Sequence, residues 1–160
     1  LVKWVSERYV PSTMPLLGEC DKVKGYEGGT VTLPCHYDYS YHGALSICWG
    51  KGEVPWSKCS DTIIEAKGNK IIFQSAKKYQ LLGRVENGNV SLTIFNATMS
   101  DSGKYHCRIH ISGLFNDEKN TVDLDITKGD NLAQLLHLLS EHSIGFCYHN
   151  SKKNHYIFST

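Results

Sequence analysis

Six cysteines, at positions 20, 35, 48, 59, 107 and 147, carry most of the reactive chemistry in this 160-residue chain. No two of them form a C-x-x-C pair, so zinc ribbons and thioredoxin-like redox sites are disfavoured. An even number at wide spacing suits disulfides formed in an oxidising compartment. The sequons Asn89-Val90-Ser91 and Asn96-Ala97-Thr98 agree with a secretory route and make Asn89 and Asn96 candidate glycosylation sites. His106 and His110 share one strand face and would suit a transition metal, but outward histidines are more often simply solvated. His137, His142, His149 and His155, with Cys147, lack ligand spacing. Cys20 and Cys147 are read as unpaired, with a mutual bridge or a link to another chain as the alternatives. Asn116-Asp117 offers an amide oxygen and a carboxylate, residue types that by themselves mark a turn. No G-x-S-x-G elbow, H-E-x-x-H motif or phosphate-cradling glycine loop occurs, so the chain is not read as an enzyme.

The elements that position such residues follow from patterning. A composition of 41% hydrophobic and 21% charged residues is that of a globular chain. A net charge of +1 gives no reason to expect nucleic acid as a partner. From Lys22 to Thr127, short strand-like runs alternate with turn signals and no helical period intervenes. Val31, Leu33 and Cys35 form one apolar stripe, interrupted by Pro34, which has no ladder donor. Leu45, Ile47 and Trp49 form the next. Runs at Ile63–Ala66, Lys70–Ser75 and Tyr79–Gly83 follow. Then come Val90, Leu92 and Ile94; Tyr105, Cys107 and Ile109; and Val122, Leu124 and Ile126. Between the apolar positions of Lys104–His110, the side chains of Lys104, His106, Arg108 and His110 are expected to point outward. About nine short strands with this alternation predict an all-β sandwich of two antiparallel sheets.

Cys35, Trp49 and Cys107 have the spacing of the immunoglobulin fold, with room for the extra strand pair of its variable type. A Cys35–Cys107 bridge would tie the two sheets across Trp49. Tyr105, two residues before Cys107, supplies the tyrosine corner. Lys78 and Asp101 stand where such domains carry a basic–acidic pair, expected here to be exposed and worth roughly 0–1 kcal/mol. The chain therefore divides into an N-terminal extension at 1–20, a variable-type domain at 21–128 and a tail at 129–160. Both extensions are expected to be poorly structured. A short amphipathic helix is expected within Asp130–His142, with Asp130 as N-cap and Leu132, Leu135, Leu136 and Leu139 on one face. No stretch reaches the ~18–20 apolar residues of a membrane-spanning helix. With no secretory signal visible either, the chain reads as a fragment or a truncated form.

Parity sets the role of Cys48. Trp49 faces the core, so Cys48 faces outward, and its natural partner is Cys59, after the loop Gly50–Lys58. That bridge folds the loop back over the outer face of the sheet. The order Cys48-Trp49-Gly50, with Gly113-Leu114-Phe115-Asn116-Asp117 in the last loop, resembles the T-cell immunoglobulin and mucin domain family. The resemblance runs from about Val23 to Ile126 and includes Gly29-Thr30-Val31-Thr32-Leu33-Pro34-Cys35, Tyr79-Gln80-Leu81-Leu82-Gly83, Val90-Ser91-Leu92-Thr93-Ile94 and Asp101-Ser102-Gly103. The sequence departs from the family pattern in three respects. The family's third bridge falls on Val54 and His106, so the folded-back loop is expected to be pinned less firmly. Leu114 replaces a Trp. No mucin-like stalk is present.

The resemblance implies an extracellular domain of a cell-surface immune receptor that recognises phosphatidylserine on apoptotic cells. It implies a cleft between the folded-back loop and the last loop, with a calcium ion held by Asn116 and Asp117. Calcium takes hard oxygen ligands, and one carboxylate makes a weak site, of the ~10⁻⁴–10⁻³ M kind found in extracellular modules. Leu114 and Phe115 at the tip would enter the bilayer interface. Leu has no polar end to sit among headgroups, so attachment is expected to be weaker than with a Trp. Val54 and Trp56 would add apolar wall, and Lys51 or Lys58 would meet lipid phosphate. The expected location is extracellular, as the ectodomain of a single-pass membrane protein whose anchor lies outside this chain. The alternative is a protein-binding module that engages a partner receptor without metal, because the fold does not fix function.

Overall fold

The computed structural model describes residues 22–129 and the backbone of Phe146–Tyr148. The extension at 1–20, the helix expected within Asp130–His142 and Cys20 lie outside the described residues. Strands β1 (Lys22–Tyr26), β2 (Val31–Leu33), β3 (Ser46–Lys51), β4 (Thr62–Lys67), β5 (Lys70–Gln74), β6 (Tyr79–Leu81), β7 (Leu92–Ile94), β8 (Gly103–His110), β9 (Glu118–Thr127) and β10 (Phe146–Tyr148) form two sheets. A short helix, α1 (Tyr39–His42), lies between β2 and β3. The front sheet runs β10-β1-β9-β8-β3-β4-β5 and the back sheet β2-β7-β6. One pair departs from the expected antiparallel order. β1 lies parallel to β9, with Lys22 opposite Asp123 and Tyr26 opposite Thr127.

The alternating stripes meet between the sheets. Val31, Leu33, Leu92 and Ile94 of the back sheet face Ile47, Trp49, Tyr105, Ile109, Val122 and Leu124 of the front, all of them buried. Trp49 keeps its one polar atom satisfied, with Nε1 donating to Val90 O at 2.8 Å. Beside it the Cys35–Cys107 disulfide joins the sheets at a separation of 72 residues. Closing so long a loop stabilises by ~4 kcal/mol in the chain-entropy view. Pro34 falls outside β2, where no ladder donor is needed, and its carbonyl accepts from Asn120 Nδ2 at 3.2 Å.

Strand register defines two poles. At the upper pole Ser46, which opens β3, pairs with His110, which closes β8; at the lower pole Lys51 pairs with Tyr105. The lower pole holds the tyrosine corner. Tyr105 is fully buried, its hydroxyl donates to Asp101 O at 2.6 Å, and burial pushes the phenol well above its ordinary pKa.

The basic–acidic pair is less exposed than the sequence suggests. Asp101 is only 3% exposed and meets Lys78 Nζ at 2.5 Å. Its second carboxylate oxygen accepts from Thr98 N and Thr98 Oγ1, closing a capping box on the short 3-10 turn Met99–Asp101. Burial works against this carboxylate, but Lys78 and Thr98 outweigh it and hold its pKa below the usual 3.8. The contribution is therefore complete above 3.8 and is lost as pH falls through the lower, folded value. Asp101→Asn, which keeps the volume and loses the charge, is expected to lower stability by about 1.5–3 kcal/mol near neutral pH. Urea titrations run from neutral pH into the acid range should show the gap between the two proteins closing as the carboxylate protonates. A constant gap would mean that the charge contributes nothing.

Candidate functional site

Two loops meet at the upper pole, although one begins at the lower. The 52–61 loop leaves β3 where the β3–β4 register shifts between Trp49 and Gly50, then turns back over the outer face of the front sheet. The Cys48–Cys59 bridge fixes this return, and Cys48 lies on the outer face as parity requires. Gly50 lets the chain approach so closely, because any Cβ there would collide with Ser60 O and the His106 ring. His106 Nδ1 lies 3.0 Å from Gly52 O, and since a carbonyl only accepts, Nδ1 carries the proton.

The covering loop changes the character of that face. His106 and Arg108 were expected to be solvated, but their exposures are 0% and 2%. Alternation correctly assigns them to the outer face; it cannot show that the chain returns to roof them over. Neither is available to a partner there.

Arg108 is the principal tie. Its Nη2 donates a short hydrogen bond to Pro55 O, and its Nη1 lies 3.3 Å from both Trp56 O and Asp117 Oδ2. Hydrogen bonds from a charged donor are worth ~1.5–3 kcal/mol each. Together with His106, this guanidinium does the pinning that the absent third bridge would have done.

The opposing 111–117 loop folds on its own short contacts. Asp117 Oδ1 accepts from Ile111 N at 3.2 Å, and Asp117 Oδ2 lies 3.3 Å from His110 Nδ1 as well as from Arg108. Asn116 Nδ2 donates to Ser112 O at 3.2 Å, across Gly113, whose φ of +121° and lack of a Cβ leave room for the amide. Phe115 is held at φ +65°, a conformation costly for a bulky side chain. Its ring meets Trp56 edge-on, with centroids 5.7 Å apart and planes at 63°.

Trp56, Lys58, Phe115 and Asp117 thus line one cleft, with Ser57, Arg108, His110, Gly113 and Lys119. Leu114 and Asn116 are exposed on the loop beside it. Val54 is half-buried in the folded-back loop and does not line the cleft. Lys51 lies at the other pole. Its Nζ donates to Ser100 O at 2.8 Å and sits 5.5 Å from the Tyr105 ring centroid, so it cannot meet a ligand in this cleft. Sequence proximity to the loop placed it wrongly, because the loop starts at the lower pole and doubles back. Lys119, Arg108 and His110 are the charged or titratable cleft residues that sequence reasoning did not assign to the site. Their signal was their position on β8 and β9 opposite Cys48 and beside Asp117.

The oxygen donors are few. Among the described residues no group of three or more His, Cys, Asp or Glu side chains could hold a metal. The Asn116 amide oxygen, the remaining lone pairs of Asp117 and backbone carbonyls suit a hard ion held weakly, with a ligand completing its shell. The sequon residues lie at opposite poles. Asn89 bridges to His36 near α1, whereas exposed Asn96 follows β7 at the lower pole.

Replacing Arg108 should release the roof. Arg108→Ala is expected to lower stability by about 3 kcal/mol and to speed amide exchange across residues 53–58. Exchange in β3 and β8 should stay slow under native conditions. Unchanged exchange in the loop would show that the disulfide alone holds it.

Comparison with known proteins agrees with this architecture. The immunoglobulin V-set domain family matches residues 20–127. The chain is 46% identical over 105 residues to the hepatitis A virus cellular receptor 1 homolog of Mus musculus, covering 66% of this chain and 34% of that protein. It is 46% identical over 108 residues to T-cell immunoglobulin and mucin domain-containing protein 4 of Mus musculus, covering 68% and 32%. The chain thus spans about a third of the length of these relatives. Among solved structures, Tim-4 in complex with phosphatidylserine superimposes with a TM-score of 0.64 at 46% identity, covering 68% of this chain and 100% of that one. Tim-1 gives 0.65 at 44% identity, with coverages of 68% and 93%.

Proposed function

This chain belongs to the T-cell immunoglobulin and mucin domain family of V-set immunoglobulin domains, and from that premise we propose that it is the ligand-binding domain of a cell-surface receptor for phosphatidylserine. The lipid headgroup enters the cleft between the 52–61 and 111–117 loops, with calcium held by Asn116 and Asp117. The observation that carries this reading is the cleft itself. An aromatic pair, Trp56 and Phe115, stands beside a carboxylate and the cations Lys58 and Lys119, a mixture that suits an anionic headgroup bearing phosphate, carboxylate and ammonium groups on acyl tails. The likeness to Tim-4 in complex with phosphatidylserine supports it.

Calcium, when bound, would supply the positive charge that draws in phosphate and carboxylate oxygens. The chain's own residues do the rest. Arg108 and His110 already lie against Asp117, so the ion must share that carboxylate with them, and its binding is weak. Lys58 faces phosphate, and Leu114 and Phe115 project toward the acyl region. Among the described residues no helix is long and apolar enough to cross a membrane.

Sedimentation with phosphatidylserine vesicles in millimolar calcium should carry the protein down, while chelator or pure phosphatidylcholine should leave it in solution. Asn116→Ala should abolish sedimentation with little change in thermal stability, whereas Asp117→Asn should abolish it and also lower stability, because that carboxylate neutralises the buried Arg108. Binding to receptor-bearing cells that persists in chelator would favour the metal-free, protein-binding alternative.

Of the two sequons, we assign the glycan to Asn96. Its side chain is exposed at the lower pole, away from the cleft. The Asn89 side chain is part of the fold: its Oδ1 accepts from Ser91 N at 3.1 Å and its amide lies against Gly83. Glycopeptide mass mapping of protein secreted from cultured cells should find Asn96 occupied and Asn89 bare. Equal occupancy would refute the assignment.

A further inference from the structure

Resting on the phosphatidylserine reading, we propose that the membrane-contacting surface extends beyond the cleft to α1, with Tyr41 as an interfacial anchor. Nine large apolar side chains are exposed among the described residues. Four stand apart, Leu114 at 85%, Phe115 at 82%, and Trp56 and Tyr41 at 81% each. The other five, at 41–60%, are spread over β5, the segment after β6 and the lower pole.

The four most exposed gather at the upper pole. α1 runs through Gly43–Leu45 into Ser46, which pairs with His110, and the 111–117 loop rises from there. Trp56 reaches the same pole because its loop doubles back onto Phe115. One end of the sandwich therefore carries three separate loops, each tipped with an apolar side chain in water.

α1 holds Tyr41 there by design of its own bonds. Asp38 Oδ1 caps the helix, accepting from Tyr41 N at 3.1 Å and Ser40 Oγ at 2.5 Å. Tyr37, 7% exposed, roots the segment in the core and donates to Gly43 O at 3.1 Å. The Tyr41 ring is left in solvent, with the His42 ring edge-on at 4.7 Å. A pinned backbone with a free aromatic tip loses little entropy on insertion.

The chemistry fits a bilayer interface. Tyrosine has an apolar body and a hydroxyl that can stay among headgroups, whereas Leu114 and Phe115 have no polar atom and must sit deeper. A fluid interface accepts anchors from separate loops without the complementary shape a folded partner would need. Tyr41 thus supplies part of the interfacial anchoring that Leu114 cannot.

Binding of the full chain to two ligands in calcium separates the possibilities: phosphatidylserine–phosphatidylcholine vesicles, and water-soluble dihexanoyl phosphatidylserine. Tyr41→Ala should weaken vesicle binding roughly three- to tenfold and leave affinity for the soluble lipid and the melting temperature unchanged. Tyr41→Trp should bind vesicles at least as well as the parent. Unchanged vesicle binding by Tyr41→Ala would overturn this inference alone, as would an equal loss for both ligands. A parent protein that binds neither ligand would overturn the underlying reading and this inference with it.

Discussion

A guanidinium cannot be taken out of water unless its donors find partners. Arg108 is withdrawn almost completely, and its partners come from two loops: the carbonyls of Pro55 and Trp56 on one side, the carboxylate of Asp117 on the other. Satisfying one side chain therefore joins two segments that are distant in sequence. The cleft lies along that join. Its walls are placed by the requirement that a buried charge be neutralised, and the strands beneath serve to hold Arg108 at the right height.

The roof over the front sheet shows how a missing covalent link is made good. The Cys48–Cys59 bridge returns the loop, but it holds only one end. Farther along, the hydrogen bond between His106 and Gly52 and the Arg108 contacts take over. Gly50 is the steric condition for all of this, since any side chain there would lift the loop off the sheet. The arrangement has a cost. His106 Nε2 and Arg108 Nε are buried without partners among the described residues, which marks the roof as less fully satisfied than the core.

Most of the sandwich was legible because alternation in a half-buried strand encodes both element and facing. Trp49 inward and Cys48 outward follow from one parity. So do the Val31–Leu33 and Tyr105–Ile109 stripes. β1 escaped notice as a strand because Lys22-Val23-Lys24-Gly25-Tyr26 is short and interrupted by glycine, and its pairing with β9 is non-local. Parity also reports only which face a residue occupies. His106 and Arg108 were assigned the right face and the wrong solvation, since their burial depends on a chain segment some fifty residues earlier in sequence. Lys51 failed for a related reason: neighbours in sequence were taken as neighbours in space, and a reversing loop breaks that equivalence. In the 111–117 loop, residue chemistry marked Asn116 and Asp117 as oxygen donors. It did not reveal that Arg108 and His110 share the carboxylate, because that contact exists only once β8 and the loop are folded together.

β9 runs from Glu118, at the foot of the 111–117 loop, to Thr127 at the far pole, flanked by β8 along one edge and β1 along the other. A pull applied at the cleft and resisted at the lower pole would act along these strands. The ladders on both sides of β9 would then be loaded in shear, with many hydrogen bonds sharing the force at once instead of parting one after another as in peeling. A domain whose 111–117 loop is continuous with such a strand is mechanically stiff along this axis, while the 52–61 loop, which leaves β3 beyond β8, lies outside the direct line of tension.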